Sequence, residues 1–265
     1  PRYGRTTATS GCAVEISRLV FLERPEATLN LFDMVPESWV ADRDLVSRAS
    51  ALWQELPYYL QSLFNTIFWC GERFKRYCVG QSSIKHHHAC VNGNLAHSVE
   101  VAEIMLSLLH LYPEGNDCVA IMAGLLHDAG KADEYYDRRG NTVLSNRGRL
   151  LGHKVTIIEW IAVAREKMRV GVPEQVYVSL VHALTATGSA AVYSGLREAK
   201  TPEAALLTHA DRLSGNANQA LNGEKFNQRQ SAVRSNCATL STSDKPHRLT
   251  QRLLGMEALM RSIQA

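Results

Sequence analysis

A histidine, a His-Asp doublet and three further ligand-type side chains stand in order along this chain, each on or beside a stretch with helical periodicity. They are His97 in Gly93-Asn94-Leu95-Ala96-His97, then His127 and Asp128 in Leu125-Leu126-His127-Asp128-Ala129-Gly130-Lys131, then His153, His182 and Asp211. Side chains this far apart in sequence can share one site when their helices pack as a bundle and project them inward. That requirement narrows the architecture more than any compositional figure does.

The intervening sequence agrees. Residues 97–112 are dense in Val, Ile, Met and Leu, so a helix there is buried on most sides. Pro113-Glu114-Gly115-Asn116 breaks it. A second apolar helix is expected over 118–129, with His127 and Asp128 in its last turn and Gly130 where a C-cap glycine would stand. Free carbonyls at such a helix end favour a bound cation. Residues 133–149 are polar and turn-rich. Val155, Ile158 and Ala162 mark a third helix, with His153 near its start. Pro173 opens a fourth, which carries Val176, Leu180, His182 and Leu184. Thr201-Pro202-Glu203 combines an N-cap threonine, a first-turn proline and an acid, a strong start for the helix holding Asp211. No strand alternation and no internal repeat stands out, so the expected class is all-α.

The chain divides into four segments: an irregular arm over 1–43, an N-terminal helical segment over 44–80, a site-bearing domain over 81–220, and a polar basic tail over 221–265 with a short terminal helix. In the second segment Leu45, Ala49, Trp53 and Leu56 recur at helical spacing, and Pro57 starts another helix that ends near Gly80. The chain of 265 residues has ample length for a core, and its net charge of +3 neither requires nor excludes a nucleic-acid partner. Its six cysteines form no Cys-x-x-Cys pair, which argues against a zinc ribbon. With no leader pattern and no apolar run of about twenty residues, the expectation is no membrane span and a cytoplasmic location.

Imidazole and carboxylate suit borderline and hard divalent cations. His97, His127, Asp128 and Asp211 make one metal position. Asp128, with two oxygens, can bridge to a second ion held by His153 and His182. Such a pair of ions, about 3.5–4 Å apart, activates water and stabilises the leaving oxygen in phosphoryl transfer. Lys131, just past the helix end, is placed to neutralise a phosphate oxygen. His87 and His88, close before the first ligand helix, are candidates to bind the scissile phosphate or protonate the leaving oxygen. His86 is open to either a catalytic or a packing role.

The series His97, His127-Asp128 and Asp211 resembles the H…HD…D pattern of the HD-domain metal-dependent phosphohydrolase superfamily. That resemblance implies an all-helical HD bundle and divalent metal, with His153 and His182 matching the two-metal branches. More narrowly, His87-His88-Ala89, the His127-to-Lys131 motif, Gly148-Arg149-Leu150-Leu151-Gly152-His153 and Thr201-Pro202-Glu203-Ala204 through Ala210-Asp211 resemble the HD domain of a bacterial 3′→5′ exoribonuclease family. The run Lys85-His86-His87-His88 also resembles the three-histidine motif of HD-type conjugative relaxases. The chain has Gln81-Ser82-Ser83 where those families favour Pro-Ala-Ser.

The expected function is therefore a phosphodiesterase or nuclease that acts on nucleic acid or nucleotides with two divalent ions, drawn from Mn, Mg, Fe, Ni or Zn. Two alternatives stand beside it. One is a DNA-processing, relaxase-like component of mobile-element machinery, to which the bases of the arm and tail would contribute. The other is a mixed-valent di-iron oxygenase, since the six-ligand set resembles that of such HD proteins.

Overall fold

The computed structural model describes residues 28–69, 71–82, 90–138, 141–168, 170–186 and 195–235, and side chains within that set as far as residue 220, except those of 137, 138 and 141. Residues 1–27 of the arm, the histidine run 86–88 and the terminal helix expected near 253–260 lie outside the described residues. Chain contacts divide the protein into two units, Pro1–Ala220 and Leu221–Ala265. The core and every candidate ligand belong to the first unit. In the second, backbone helix is described as far as Ser235.

The core begins before the first helix. A 3-10 turn at Leu31–Met34 is capped by Asn30, whose Oδ1 accepts the Phe32 N–H. It buries Leu31 and Phe32, and Val35 and Val40 follow them inward, while Met34 stays exposed. Helix α1 (Arg43–Gln54) starts on Asp42, whose carboxylate accepts the Leu45 N–H at 3.1 Å. Helix α2 (Tyr58–Phe68) starts behind Pro57, as the sequence predicts. The single helix expected to run on to Gly80 is instead two, because α3 (Gly71–Val79) begins anew. Arg73 Nη1 donates to the Ile67 carbonyl at 2.7 Å, satisfying an acceptor at the end of α2 that a continuous helix would have used. Phe32, Phe64, Phe68, Phe74 and Tyr77 then form a chain of tilted and edge-on ring contacts under these helices.

Helices α4 (Gly93–Leu109) and α5 (Asp117–Leu126) are the centre of the bundle. Asn92 precedes α4 with φ +65°, a left-handed turn that asparagine tolerates, and its amide donates to the Cys78 and Trp39 carbonyls. Gly124 on α5 lies against Ala102 on α4 so closely that a Cβ would fall 2.5 Å from the Ala102 Cα. This contact sets how near the two helices come.

After α5 the chain turns through His127–Gly130 into the short α6 (Lys131–Glu134) and then a hairpin, β1 (Tyr135–Arg138) with β2 (Asn141–Leu144). The strands pair antiparallel with Tyr135 opposite Leu144 and Tyr136 opposite Val143. The sequence predicts no strand here, and four-residue strands are too short to show a clear period. The all-α class otherwise stands. Helix α7 (Asn146–Leu150) is capped by Ser145, and α8 (Gly152–Lys167), α9 (Glu174–Thr185) and the part of α10 (Pro202–Ser235) up to Ala220 complete the bundle. Thr201 Oγ1 accepts the Ala204 N–H at the start of α10. Buried Glu203 ties that start to α5 by accepting the Asn116 N–H at 2.6 Å.

On α8 the buried stripe is Ile157, Trp160, Ile161 and Ala164, not the Val155, Ile158 and Ala162 stripe expected. Val155 faces outward and Ile158 is partly buried. Both sets repeat every three to four residues, so periodicity alone does not choose between them.

Candidate metal centre

His97 is buried on the second turn of α4, and His127 and Asp128 are buried in the turn that ends α5. Asp211, half-exposed, comes from α10. His97 Nε2 lies 3.2 Å from His127 Nε2, 3.0 Å from Asp211 Oδ1 and 3.5 Å from Asp128 Oδ2. His127 Nε2 is 3.6 Å from Asp128 Oδ2 and 4.0 Å from Asp211 Oδ1. Thus the four side chains expected to form the first metal position meet.

Their hydrogen bonds show what the meeting atoms can accept. His127 Nδ1 is 2.8 Å from the Gly124 carbonyl, so it carries the proton and donates. Ser214 Oγ donates to Glu100 Oε2 at 2.9 Å, which leaves its oxygen to accept from His97 Nδ1–H at 2.9 Å. Both imidazoles therefore turn a bare Nε2 toward each other and toward two carboxylate oxygens. Four lone pairs facing one another repel, and a cation at their centre converts the repulsion into coordination. Burial lowers the pKa of His127 and so favours the neutral form a ligand needs, although Asp128 pulls the other way. For Asp128, burial raises the pKa, but His127, Lys131, His153 and His97 outweigh it and hold the carboxyl far below the usual range. Burial likewise raises the Asp211 pKa, and the adjacent His97 and His127 bring it below the ordinary value. The residues fit a divalent ion.

The second oxygen of Asp128 faces elsewhere. His153 Nε2 lies 3.4 Å from Asp128 Oδ1, and His153 Nδ1 is 3.1 Å from Glu134 Oε2. A carboxylate that takes the Nδ1 proton aims the other nitrogen at a metal position and makes it more basic. Glu134, Ser214 and Glu100 are thus orienting groups that sequence reasoning misses. Spacing carries no signal for Ser214 or Glu100, whereas Glu134 closely follows the His-Asp motif.

His182 is not brought to this group. Its Nε2 accepts the backbone N–H of Lys200 at 2.9 Å, and among the described residues it makes no hydrogen bond or ion pair with Asp128, His153 or Asp211. The chain entering α10 passes His182, and its neighbours Ala183 and Leu184 face the metal cleft instead. Lys131 reaches back to the Asp128 carboxylate. Its ammonium pairs with Asp128 Oδ2 and donates to Ser82 Oγ at 3.3 Å, while Ser82 Oγ lies 3.3 Å from the same carboxylate oxygen. His87 and His88 lie outside the described residues.

Gly130 has φ −61° and starts α6, so it is not a left-handed cap. It is glycine because a Cβ would fall 2.2 Å from the His153 carbonyl oxygen. Replacing it with alanine should push α8 back and take His153 with it. For Gly130→Ala the expected result is a loss of affinity for the second ion of about tenfold, the scale seen when orienting groups are disturbed. Metal titration followed by calorimetry checks this, and an unchanged second binding step would refute it. His153→Ala should leave a folded chain that binds one ion fewer than the unaltered protein, as read by elemental analysis. Equal metal content in the two proteins would take His153 off the ligand list.

A cleft of about 270 Å³ opens on the cluster, bordered by His127, Asp128, His153 and Asp211, with Lys154 and Arg212 among its charged residues. Residues 94–216, which carry this ordered His…His-Asp…Asp set, match the HD domain family. HD domains bind divalent metals, and His97, His127 and Asp211 form a group able to hold an ion.

Among curated proteins the chain is similar to 3′-5′ exoribonuclease YhaM of Geobacillus sp. (strain WCH70), 27% identical over 137 residues, which are 52% of this chain and 41% of the relative. It is also similar to 3′-5′ exoribonuclease YhaM of Bacillus pumilus (strain SAFR-032), 26% identical over 148 residues, which are 56% and 45% of the two chains. The chain therefore spans less than half the length of these relatives. No solved structure matches it. No described helix is long and apolar enough to cross a membrane.

Proposed function

We propose that this chain is a metal-dependent phosphohydrolase that cleaves phosphodiester bonds of nucleic acid or nucleotides, with Asp128 the carboxylate that two divalent ions would share. One observation carries the reading: two bare imidazole nitrogens and two carboxylate oxygens converge at the floor of a cleft that also carries cationic residues. The HD domain and the exoribonuclease relatives support it.

Divalent ions supply a lowered pKa for water, from about 15.7 toward about 7, and neutralise charge on phosphoryl oxygens. His97 and His127 hold their Nε2 lone pairs forward through the Ser214 and Gly124 hydrogen bonds. Asp128, ionised, presents one oxygen to that pair and the other to His153. Lys131 and Ser82 fix the Asp128 carboxylate, so Lys131 is a positioning residue. Lys154 and Arg212 give the phosphate a positive border to dock against. His97, His127, Asp128 and Asp211 are assigned to the first metal position, and Asp128 with His153 to the second.

Metal-stripped protein reloaded with Mn²⁺ or Mg²⁺ should hydrolyse bis-p-nitrophenyl phosphate and shorten RNA or DNA oligonucleotides, and chelation should end both activities. Failure to cleave any of these substrates with either metal would overturn the reading. So would bound iron that consumes dioxygen during turnover of a small organic substrate.

A further inference from the structure

We propose that the surface formed by α7 and the start of α8 is the path along which a single strand of nucleic acid enters the metal cleft. The inference rests on the phosphohydrolase reading and takes its substrate to be a polymer, held beyond the reacting bond as well as at it.

Charge is the first observation. From Arg138 to Ile158 the sequence carries Arg138, Arg139, Arg147, Arg149 and Lys154 and no Asp or Glu, in a chain where 29 bases stand beside 26 acids. Arg147 is neutralised by Glu159. Arg149 and Lys154 are exposed, and among the described residues neither forms an ion pair. Arg149 donates only to the neutral side chain of Asn146, at 3.3 Å. A local excess of bases without acidic partners is the electrostatic footprint of a polyanion.

Apolar exposure is the second, independent observation. No residue of α7 is buried, and Leu150, Leu151 and Val155 stand 71%, 48% and 51% exposed. Large apolar side chains left in water side by side, and rimmed by bases, mark a binding surface.

Position decides what covers it. The same segment delivers His153 to Asp128, and Lys154, next to Val155, borders the metal cleft. A strand that crosses α7 and passes Lys154 is at the cleft that holds Asp128. A duplex would offer its phosphates to the cations but keep its bases stacked away from the leucines. A single strand offers phosphates to Arg149 and Lys154 and unstacked bases to Leu150 and Leu151.

The test is fluorescence anisotropy of the Mn²⁺-loaded full chain with a labelled single strand of about twelve nucleotides, within the about 4–16 that single-strand grooves cover. Phosphorothioate linkages keep the strand charged and resistant to hydrolysis. Arg149→Gln should weaken binding about fivefold and flatten the dependence of log Kd on log salt by about 0.7, the loss of one phosphate contact. Leu150→Ser should weaken binding about fivefold with the salt dependence unaltered, because it removes no charge. Both are surface positions, so neither change threatens folding. Lys167→Gln, at an exposed base on the far end of α8, should leave affinity within about twofold. Equal losses from Arg149→Gln and Lys167→Gln would reduce the binding to general attraction and overturn the path. Full affinity in the Leu150 variant, or equal affinity for the matching duplex, would overturn it too. Self-association that Leu150→Ser abolishes, with no strand bound, would give the face to a second copy of the chain instead. The two readings separate on bis-p-nitrophenyl phosphate, which needs no strand surface. Its hydrolysis without strand binding removes the path and leaves the phosphohydrolase. Strand binding that both variants weaken, without any hydrolysis, keeps the path and removes the phosphohydrolase.

Discussion

Asp128→Ala should lower phosphodiesterase turnover by at least about a thousandfold, equivalent to about 4 kcal/mol of transition-state stabilisation, and should drop bound metal below one ion per chain. Among the described residues, Asp128 is the side chain that faces both clusters of candidate ligands. Its Oδ2 lies 3.5 and 3.6 Å from the Nε2 atoms of His97 and His127, and its Oδ1 lies 3.4 Å from that of His153. Water in its place supplies donors but no charge, so both positions lose their shared anion at once. Lys131 loses its carboxylate partner too, and its ammonium then stands against both metal positions. Elemental analysis and turnover, with circular dichroism to verify folding, provide the check. A variant that keeps two ions or most of its activity would sink the shared-carboxylate assignment.

Gly124→Ala, a change of one methyl group that alters no ligand side chain, should have the next largest effect. The new Cβ would lie 2.5 Å from Ala102 Cα and 2.8 Å from Ala102 N, backbone atoms that no rotamer change can move. Helices α4 and α5 must part to admit it. Overpacking of this kind costs about 1–3 kcal/mol, which lowers the melting temperature by about 2–4 °C per kcal/mol in a chain of this size. The parting also widens the 3.2 Å gap between His97 on α4 and His127 at the end of α5. First-site metal affinity should therefore fall together with melting temperature. Unchanged thermal stability would show that the helices accommodate the methyl group, and the packing argument would fail.

Legibility in the sequence followed the range of each interaction. The ligands on separate helices could be read because metal chemistry restricts residue type and helical periodicity restricts facing. His97, His127, Asp128 and Asp211 satisfied both conditions. His182 satisfied them as well, yet its imidazole accepts a hydrogen bond from Lys200, because the path of a loop decides which nearby atom a ring meets. Gly130 looked like a helix cap because glycine at a helix end usually is one. Its actual reason is a close approach by the backbone of His153, which no local pattern records. Glu134, Ser214 and Glu100 are ordinary polar residues whose roles exist only after folding has set the tautomers of two histidines. The β1–β2 hairpin escaped because four-residue strands carry too few alternations to separate from a polar loop.

Tyr77 on α3 has one more consequence. Its buried hydroxyl donates to the Leu125 carbonyl at 2.9 Å, two residues before His127, and its ring closes the aromatic row that begins at Phe32. Arg48 of α1 likewise grips Glu103 of α4 through both carboxylate oxygens. Expression boundaries trimmed to residues 94–216 would strip away this floor and leave a wide greasy surface bare. A shorter chain meant to keep the metal cluster folded should begin no later than residue 28.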